Sequence, residues 1–120
     1  MRRVELDMTD RTTLIAFIES LKDPFVFADT GHVIRYMNRA AIANYKEGAS
    51  LLGRSLFDCH NEQSNKIILE IFEEMKKGLD ERRITDDEKN RIYMRAVRDA
   101  DGVLIGYYER YEPPVKKAST

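Results

Sequence analysis

The sequence feature that most constrains the fold is a strongly periodic segment between Gly53 and Gly78. Large apolar side chains recur there at the spacing of one helical face: Ile67, Ile68, Ile71, Phe72 and Met75. Asn61 or Ser64 is suited to cap the start of a helix, and two lysines followed by a glycine are typical of its end. The pattern predicts an amphipathic helix over residues 62–77, which needs a flat apolar surface to lie on.

A second helical pattern lies near the N-terminus. Asp10 is placed to cap it, and the Asp23-Pro24 pair ends it, because a residue before proline is pushed out of helical geometry. Its apolar positions are Leu14, Ile15, Phe17, Ile18 and Leu21. We therefore treat residues 1–22 as an N-terminal helical segment that serves either in dimerisation or as a cap on the domain.

Strand patterns lie on both sides of the long helix. Residues rich in β-branched and aromatic types, separated by turn chemistry, predict strands at 25–29, 33–38, 91–98 and 103–111, with a charged edge strand within 80–88. A short helix, 39–46, is capped by Asn38. Two hairpins separated by a helical insert predict an α+β fold, a five-stranded antiparallel sheet with helices on one face. We assign this domain to residues 23–112 and a loose tail to 113–120.

Composition limits the function classes. The 120 residues suit one domain, and twenty basic against twenty-one acidic residues give a net charge of −1, which does not favour nucleic-acid binding. One cysteine cannot form an internal disulfide, and the sequence shows neither a leader pattern nor an apolar run approaching the roughly 20 residues of a membrane span. These features predict a cytoplasmic protein with no nucleic-acid or membrane partner.

The order of elements, together with particular residues, resembles a PAS domain over about residues 14–112. The matching motifs are Asp29-Thr30-Gly31 with Ile34, Asn38 and Ala40-Ala41, then Leu52 to Asp58, then Asp101-Gly102 with Ile105-Gly106. The resemblance implies a sensory and dimerisation module that holds a small ligand or cofactor between its sheet and its helices. It also implies an effector domain or partner protein that receives the signal.

In this arrangement we expect one ligand pocket and one dimer surface. The pocket wall is predicted to contain Phe27, Ile42, Tyr45, Leu56, His60, Ile68, Phe72, Met94 and Tyr107. A homodimer is expected to form through the N-terminal helix and the outer face of the sheet. The alternative is a ligand-free protein interaction module, in which the helical insert packs tightly and leaves no cavity.

The identity of any cofactor stays open at this point. PAS domains bind haem, flavins, organic acids or no detectable ligand, so the fold does not name the ligand. Flavin photochemistry is not favoured, because Cys59 lies six residues after Gly53 and outside that branch's cysteine motif. A more specific form of the sensor hypothesis is a haem-based gas or redox sensor, with His60 as axial ligand and Met94 or Met37 as a second contact.

Other side chains are predicted to have structural roles. The plain interpretation of Cys59 and His60 is a small core residue and a residue that hydrogen-bonds near a helix start, and His32 is expected to be solvated in its turn. Together the three are too few for a structural zinc site. Because no nucleophile has a histidine partner at a recognisable spacing, we do not expect an enzyme.

A basic row on the fourth strand has two interpretations. Arg91, Arg95 and Arg98 accompany Tyr93, and such a row is usually a solvated face. Arginine and tyrosine are also the residues that interfaces favour, so the second interpretation is that the row lines a dimer surface or meets an anionic partner.

Overall fold

The predicted amphipathic helix forms, and most of its apolar stripe is buried. The structure, a computed structural model, describes residues 10–115, except for the side chain of Cys59. The long helix α3 spans Glu62–Lys76, and Asn61 caps it by accepting a hydrogen bond from the Ser64 amide at 2.8 Å. Of the five predicted stripe residues, Ile68, Ile71, Phe72 and Met75 are buried. Ile67 departs from the prediction, because it lies at the edge of the stripe and remains 39% exposed.

The other elements follow the predicted order. The helices are α1 (Arg11–Glu19) and α2 (Arg39–Asn44), and 3-10 turns form at Gly48–Leu51 and Leu56–Cys59. The strands are β1 (Val26–Asp29), β2 (Ile34–Met37), β3 (Glu81–Asp86), β4 (Arg91–Arg98) and β5 (Leu104–Glu112). All neighbouring strands are antiparallel, in the spatial order β2-β1-β5-β4-β3. The α+β sheet of five antiparallel strands is thereby confirmed, with β3 at an edge as its charges predicted.

The register gives the sheet two different faces. Ala28 is paired with Tyr107, which in turn is paired with Ala96, and this row lies under the helices. The next row, Phe27 with Tyr108, alternates with it and therefore lies on the outer face. Beyond Tyr108 the outer face becomes charged: Arg110 binds Glu81 at 2.9 Å and stands over the Tyr93 ring. The outer face is thus aromatic on one side and ionic on the other.

Gly106 lies where two strands approach each other closely. The sequence predicted a bulge or a close approach at this glycine, and both are present, since the β4–β5 register shifts near Val97. A Cβ atom on Gly106 would lie 2.2 Å from the Ala28 carbonyl oxygen and 2.5 Å from Cζ of Phe27. Only glycine fits here without moving backbone.

Asn38 joins four segments and is fully buried. Its Oδ1 accepts hydrogen bonds from the amides of Phe25 and Ala41 at 2.9 and 2.8 Å. Its Nδ2 donates to the carbonyl oxygens of Ile18 and Asp23 at 3.2 and 3.1 Å. The predicted N-cap of α2 therefore also holds the end of α1 and the start of β1.

Arg98 lies apart from the basic row that was predicted from the sequence. Alternation from Arg91 and Arg95 leads to Val97, so Arg98 belongs to the opposite, inner face of β4. There its Nη2 donates to the carbonyl oxygens of Met75 and Leu79 at 2.7 and 3.1 Å. A cation is favourable at the C-terminal end of a helix, where carbonyl groups lack helical partners. Arg98 thus caps α3 from the sheet.

Helix α1 is shorter than predicted and is tied to the sheet at one end. It ends at Glu19 rather than near Lys22, because the Ser20 hydroxyl donates to the Phe17 carbonyl oxygen at 2.7 Å and competes with helical bonding. The Tyr36 hydroxyl donates to Oε1 of Glu19 at 2.5 Å, and burial together with this bond raises the pKa of Tyr36 to about 12.

Residues 1–9 of the predicted N-terminal segment and 116–120 of the predicted tail lie outside the described residues. In residues 10–115 no helix is both long and apolar enough to cross a membrane.

Candidate functional site

A cavity of about 280 Å³ lies between the first half of α3 and the strands β3, β4 and β5. This volume is near the lower end of the roughly 300–1,000 Å³ typical of small-molecule sites. Isoleucine is the commonest residue in its wall, and two tyrosines and several polar groups complete it. The lining residues are Tyr45, His60, Ser64, Ile67, Ile68, Ile84, Thr85, Ile92, Glu109 and Tyr111.

The polar side of the cavity centres on Glu109. Alternation along β5 places Glu109 and Tyr111 on the same inner face as the buried Tyr107. The Tyr111 hydroxyl donates to Oε2 of Glu109 at 3.4 Å and lies 3.4 Å from the Tyr45 hydroxyl. Burial raises the pKa of the Glu109 carboxyl group, and the weak bond from Tyr111 opposes that shift. The carboxyl group therefore keeps its proton to a higher pH than an exposed glutamate.

His60 stands at the entrance to α3. The 3-10 turn Leu56–Cys59 ends just before it, and Asn61 then starts the helix. The imidazole is half-buried, and burial lowers its pKa below the ordinary histidine value. Its ring is therefore uncharged at neutral pH, which makes it a neutral hydrogen-bonding group on the cavity wall.

The structure separates the nine predicted pocket residues into three groups. Tyr45, His60 and Ile68 line the cavity. Ile42 packs against the core, and Phe27 lies on the outer sheet face, because it alternates with the inward Ala28. The remaining four are buried core residues with at most 6% exposure: Leu56, Phe72, Met94 and Tyr107.

Three important lining residues were missed although the sequence carried a signal for them. Tyr107 was placed on the pocket side, and a strand alternates with period two, so Glu109 and Tyr111 follow on the same face. Ile92 lies two positions before Met94 and follows by the same rule. Glutamate seldom faces a protein interior, so the polarity of Glu109 argues against a position that its register gives.

His32 is not the solvated turn residue that the sequence suggested. Its φ of 64° is in the left-handed region, and this conformation places the imidazole among aromatic rings. Nδ1 lies 2.8 Å from the Tyr107 hydroxyl, and the ring centroids of Phe57 and Phe72 are each 4.7 Å away. Burial lowers the pKa of His32. The turn between β1 and β2 is thereby attached to the core under α3.

The cavity does not fit a haem group. A porphyrin exceeds a space of about 280 Å³, and the lining has no lysine or arginine to neutralise its propionates while it does have the Glu109 carboxyl group. His60 lines the cavity, so the mismatch lies in the volume and charge of the site rather than in the absence of an imidazole. Among residues 10–115, with the Cys59 side chain left aside, no three His, Asp or Glu side chains are grouped to hold a metal ion.

The fold, with its strand order and its cavity under the long helix, is that of a PAS domain. A PAS domain family model matches residues 14–111, which is most of the chain, and this protein therefore belongs to the PAS domain family. A comparison with curated proteins gave no significant match.

Three solved structures illustrate the fold. A C-terminal domain from Streptococcus mutans superposes with a TM-score of 0.69 at 20% identity, covering 85% of this chain and 83% of that one. A PAS domain from Colwellia psychrerythraea gives 0.60 at 14% identity, with 87% and 97% covered. The histidine kinase ThkA, solved in complex with the response regulator TrrA, gives 0.56 at 21% identity, with 81% and 30% covered. At such low sequence identities, these superpositions show a shared fold alone.

Proposed function

We propose that this PAS domain is a sensory module that binds a small ligand in the cavity between α3 and the sheet, and that it works as a homodimer. The observation that carries the proposal is the cavity itself, with apolar walls and a convergent group of two tyrosine hydroxyls and a carboxyl group. The likeness to part of a histidine kinase agrees with a role in signal transduction.

The proposed role is binding rather than catalysis. Ser64 and His60 both line the cavity, yet in the described part of the chain no hydrogen bond joins the Ser64 hydroxyl to the His60 ring. A serine nucleophile needs such a base within reach. The cavity therefore offers groups that recognise a molecule and lacks a pair that would activate an attacking atom.

A ligand-free interaction module is the second candidate, and one observation favours it. Four of the nine predicted pocket residues are packed into the core, so the space left for a ligand is small. The two functions differ in whether the remaining cavity takes up small molecules at all.

Filling the cavity should abolish ligand binding. Ser64 lies on the wall in the first turn of α3, and Ser64→Phe would place a ring in the space, whereas Gln63→Phe adds the same ring at the exposed neighbouring position. We expect at least one of three small probes, 2-phenylethylamine, 2-phenylethanol or phenylacetate, to shift the amide NMR signals of lining residues. The shifts should persist in Gln63→Phe and be lost in Ser64→Phe. If no probe moves these signals, the interaction module is the better account.

The proposed dimer surface joins α1 to the outer sheet face. Leu14 and Phe17 lie on one side of α1, and Leu21 follows just beyond the end of this helix; the three side chains are 45%, 50% and 48% exposed. A groove of about 280 Å³ continues from Leu21 to Phe25 and Tyr108 on the sheet. Large apolar side chains exposed along a continuous surface are typical of protein interfaces, and a second copy would cover both parts at once.

A charge on this surface should dissociate the dimer. Phe17→Glu places a carboxylate in the centre of the proposed contact, and we expect light scattering to give half the mass of the wild-type particle. Ala16→Glu adds the same charge on the other side of α1, where the side chain is exposed, and should leave the dimer intact. Phe17→Glu tests the surface better than deletion of residues 1–22, because the deletion also removes the Ile18 carbonyl that Asn38 binds. A Phe17→Glu protein with unchanged mass would refute the interface.

A further inference from the structure

Glu109 differs from the other glutamates of the sheet in lacking a cation. On the outer face, Glu81 is held by Arg110 at 2.9 Å, and Glu112 is held by Arg91 at 2.9 Å. On the inner face, in the described part of the chain, no lysine, arginine or histidine forms an ion pair with Glu109, and no lysine or arginine lines the cavity. A carboxylate in an apolar cavity without a cation is unfavourable for folding.

The remaining contacts of Glu109 compensate for its burial only weakly. Within the described residues, its one hydrogen bond from a side chain is that of the Tyr111 hydroxyl at 3.4 Å, which is long for a bond to a carboxylate. The Tyr45 hydroxyl lies 3.4 Å from the Tyr111 hydroxyl. The carboxyl group therefore has unused acceptor capacity and lies in a cavity that is open to a small molecule.

We propose that the cavity is selective for small amphipathic cations, with a ligand amine or amidine pairing with Glu109 and an apolar body packing against the isoleucines. This inference rests on the proposed ligand-binding function and names its ligand class. The apolar body would contact Ile67, Ile68, Ile84 and Ile92, which form the apolar part of the wall. The carboxyl group is already partly withdrawn from bulk water in the folded protein, so the ligand meets a preorganised partner. An anionic ligand would meet a like charge in the same place.

Proton binding supports the same pairing. Burial raises the pKa of Glu109, so below that raised pKa the free protein holds a proton that a bound cation would displace. The titratable groups that face Glu109 across the cavity are Tyr45, Tyr111 and His60. Burial raises the pKa of Tyr111 and lowers the pKa of His60, so these two groups are uncharged near neutral pH. None of them supplies the missing positive charge.

Three probes of similar shape and different charge test the selectivity. We expect 2-phenylethylamine to bind at least about tenfold more tightly than 2-phenylethanol, and phenylacetate to bind more weakly than both. Glu109→Gln should bring the amine to the affinity of the alcohol, while the exposed Glu88→Gln should change neither. Calorimetry at slightly acid pH in two buffers of different ionisation enthalpy should detect proton release with the amine in wild type and none in Glu109→Gln.

The outcomes separate this inference from the function on which it rests. If the alcohol or the acid binds at the cavity as tightly as the amine, selectivity for cations is wrong and ligand binding stands. If no probe binds, both fail. Because the comparison of probes uses the wild-type protein, it decides the question even if Glu109→Gln does not fold.

Discussion

Gly106→Ala is expected to destabilise the protein by about 3 kcal/mol or more, a loss of about 10 °C or more in Tm. The added Cβ would lie 2.2 Å from the Ala28 carbonyl oxygen and 2.5 Å from Cζ of Phe27. The Phe27 ring is able to turn aside, but the carbonyl belongs to the backbone of β1 where that strand pairs with β5. Thermal unfolding followed by circular dichroism measures the effect.

Two comparisons show which contact matters. Gly31→Ala places its Cβ 3.4 Å from Oδ1 of Asp29, an ordinary contact, and should shift stability by less than about 1 kcal/mol. In a Phe27→Ala protein the ring contact is absent and the carbonyl contact remains. We therefore expect Gly106→Ala to cost less stability in that protein than in the wild type, while still destabilising it. A Gly106→Ala protein as stable as the Gly31→Ala protein would contradict the close approach of β1 and β5.

Asn38→Ala is the second substitution with a large expected effect, about 3 to 5 kcal/mol. It removes the partners of four backbone groups at once, the amides of Phe25 and Ala41 and the carbonyls of Ile18 and Asp23. The site is fully buried, so water cannot replace these bonds without opening the structure. Chemical denaturation gives the free energy of unfolding directly.

The control for Asn38 lies on the same helix. Asn44 is the last residue of α2 and is exposed, so Asn44→Ala should change the free energy of unfolding by no more than about 0.5 kcal/mol. Asn38→Asp keeps the acceptor for Phe25 and Ala41 but loses the amide donor to the carbonyls of Ile18 and Asp23. It should therefore loosen α1 at mildly acid pH, and it should lose further stability as rising pH ionises the buried carboxyl group. Equal stability of Asn38→Ala and Asn44→Ala would show that the four bonds contribute little.

The elements of the fold could be predicted because each has a local cause. The spacing from Ile68 to Met75 exists only on a helical face, and alternation along Arg91–Arg98 exists only on a strand. The local pattern does not show which face of a strand points inward. Phe27 is larger and more apolar than Ala28, yet Ala28 faces the helices, because Tyr107 and α3 fill the space above it.

The candidate site was harder to predict, because its lining comes from α3, three strands, Tyr45 and His60, which only the tertiary fold brings together. Polar side chains beside the core were also placed wrongly: the left-handed backbone of His32 turns its imidazole inward, and Arg98 faces inward by the alternation of β4. The position of His32 does not follow from composition, because it depends on contacts between distant segments. Glu109 is different, because alternation along β5 predicts its inward position. Only the polarity of its carboxyl group argues against that position.

The attachment of α1 has a mechanical consequence. Within residues 10–115 the hydrogen bonds and ion pairs between this helix and the rest of the protein come from Ile18 and Glu19, at its C-terminal end. Nine helical residues extend roughly 14 Å from that point. A tilt of about 10° there would move the far end by roughly 2 Å. Asn38 holds the C-terminal end of α1 beside β1. A small rearrangement there would therefore produce a larger displacement at the N-terminal end of the helix.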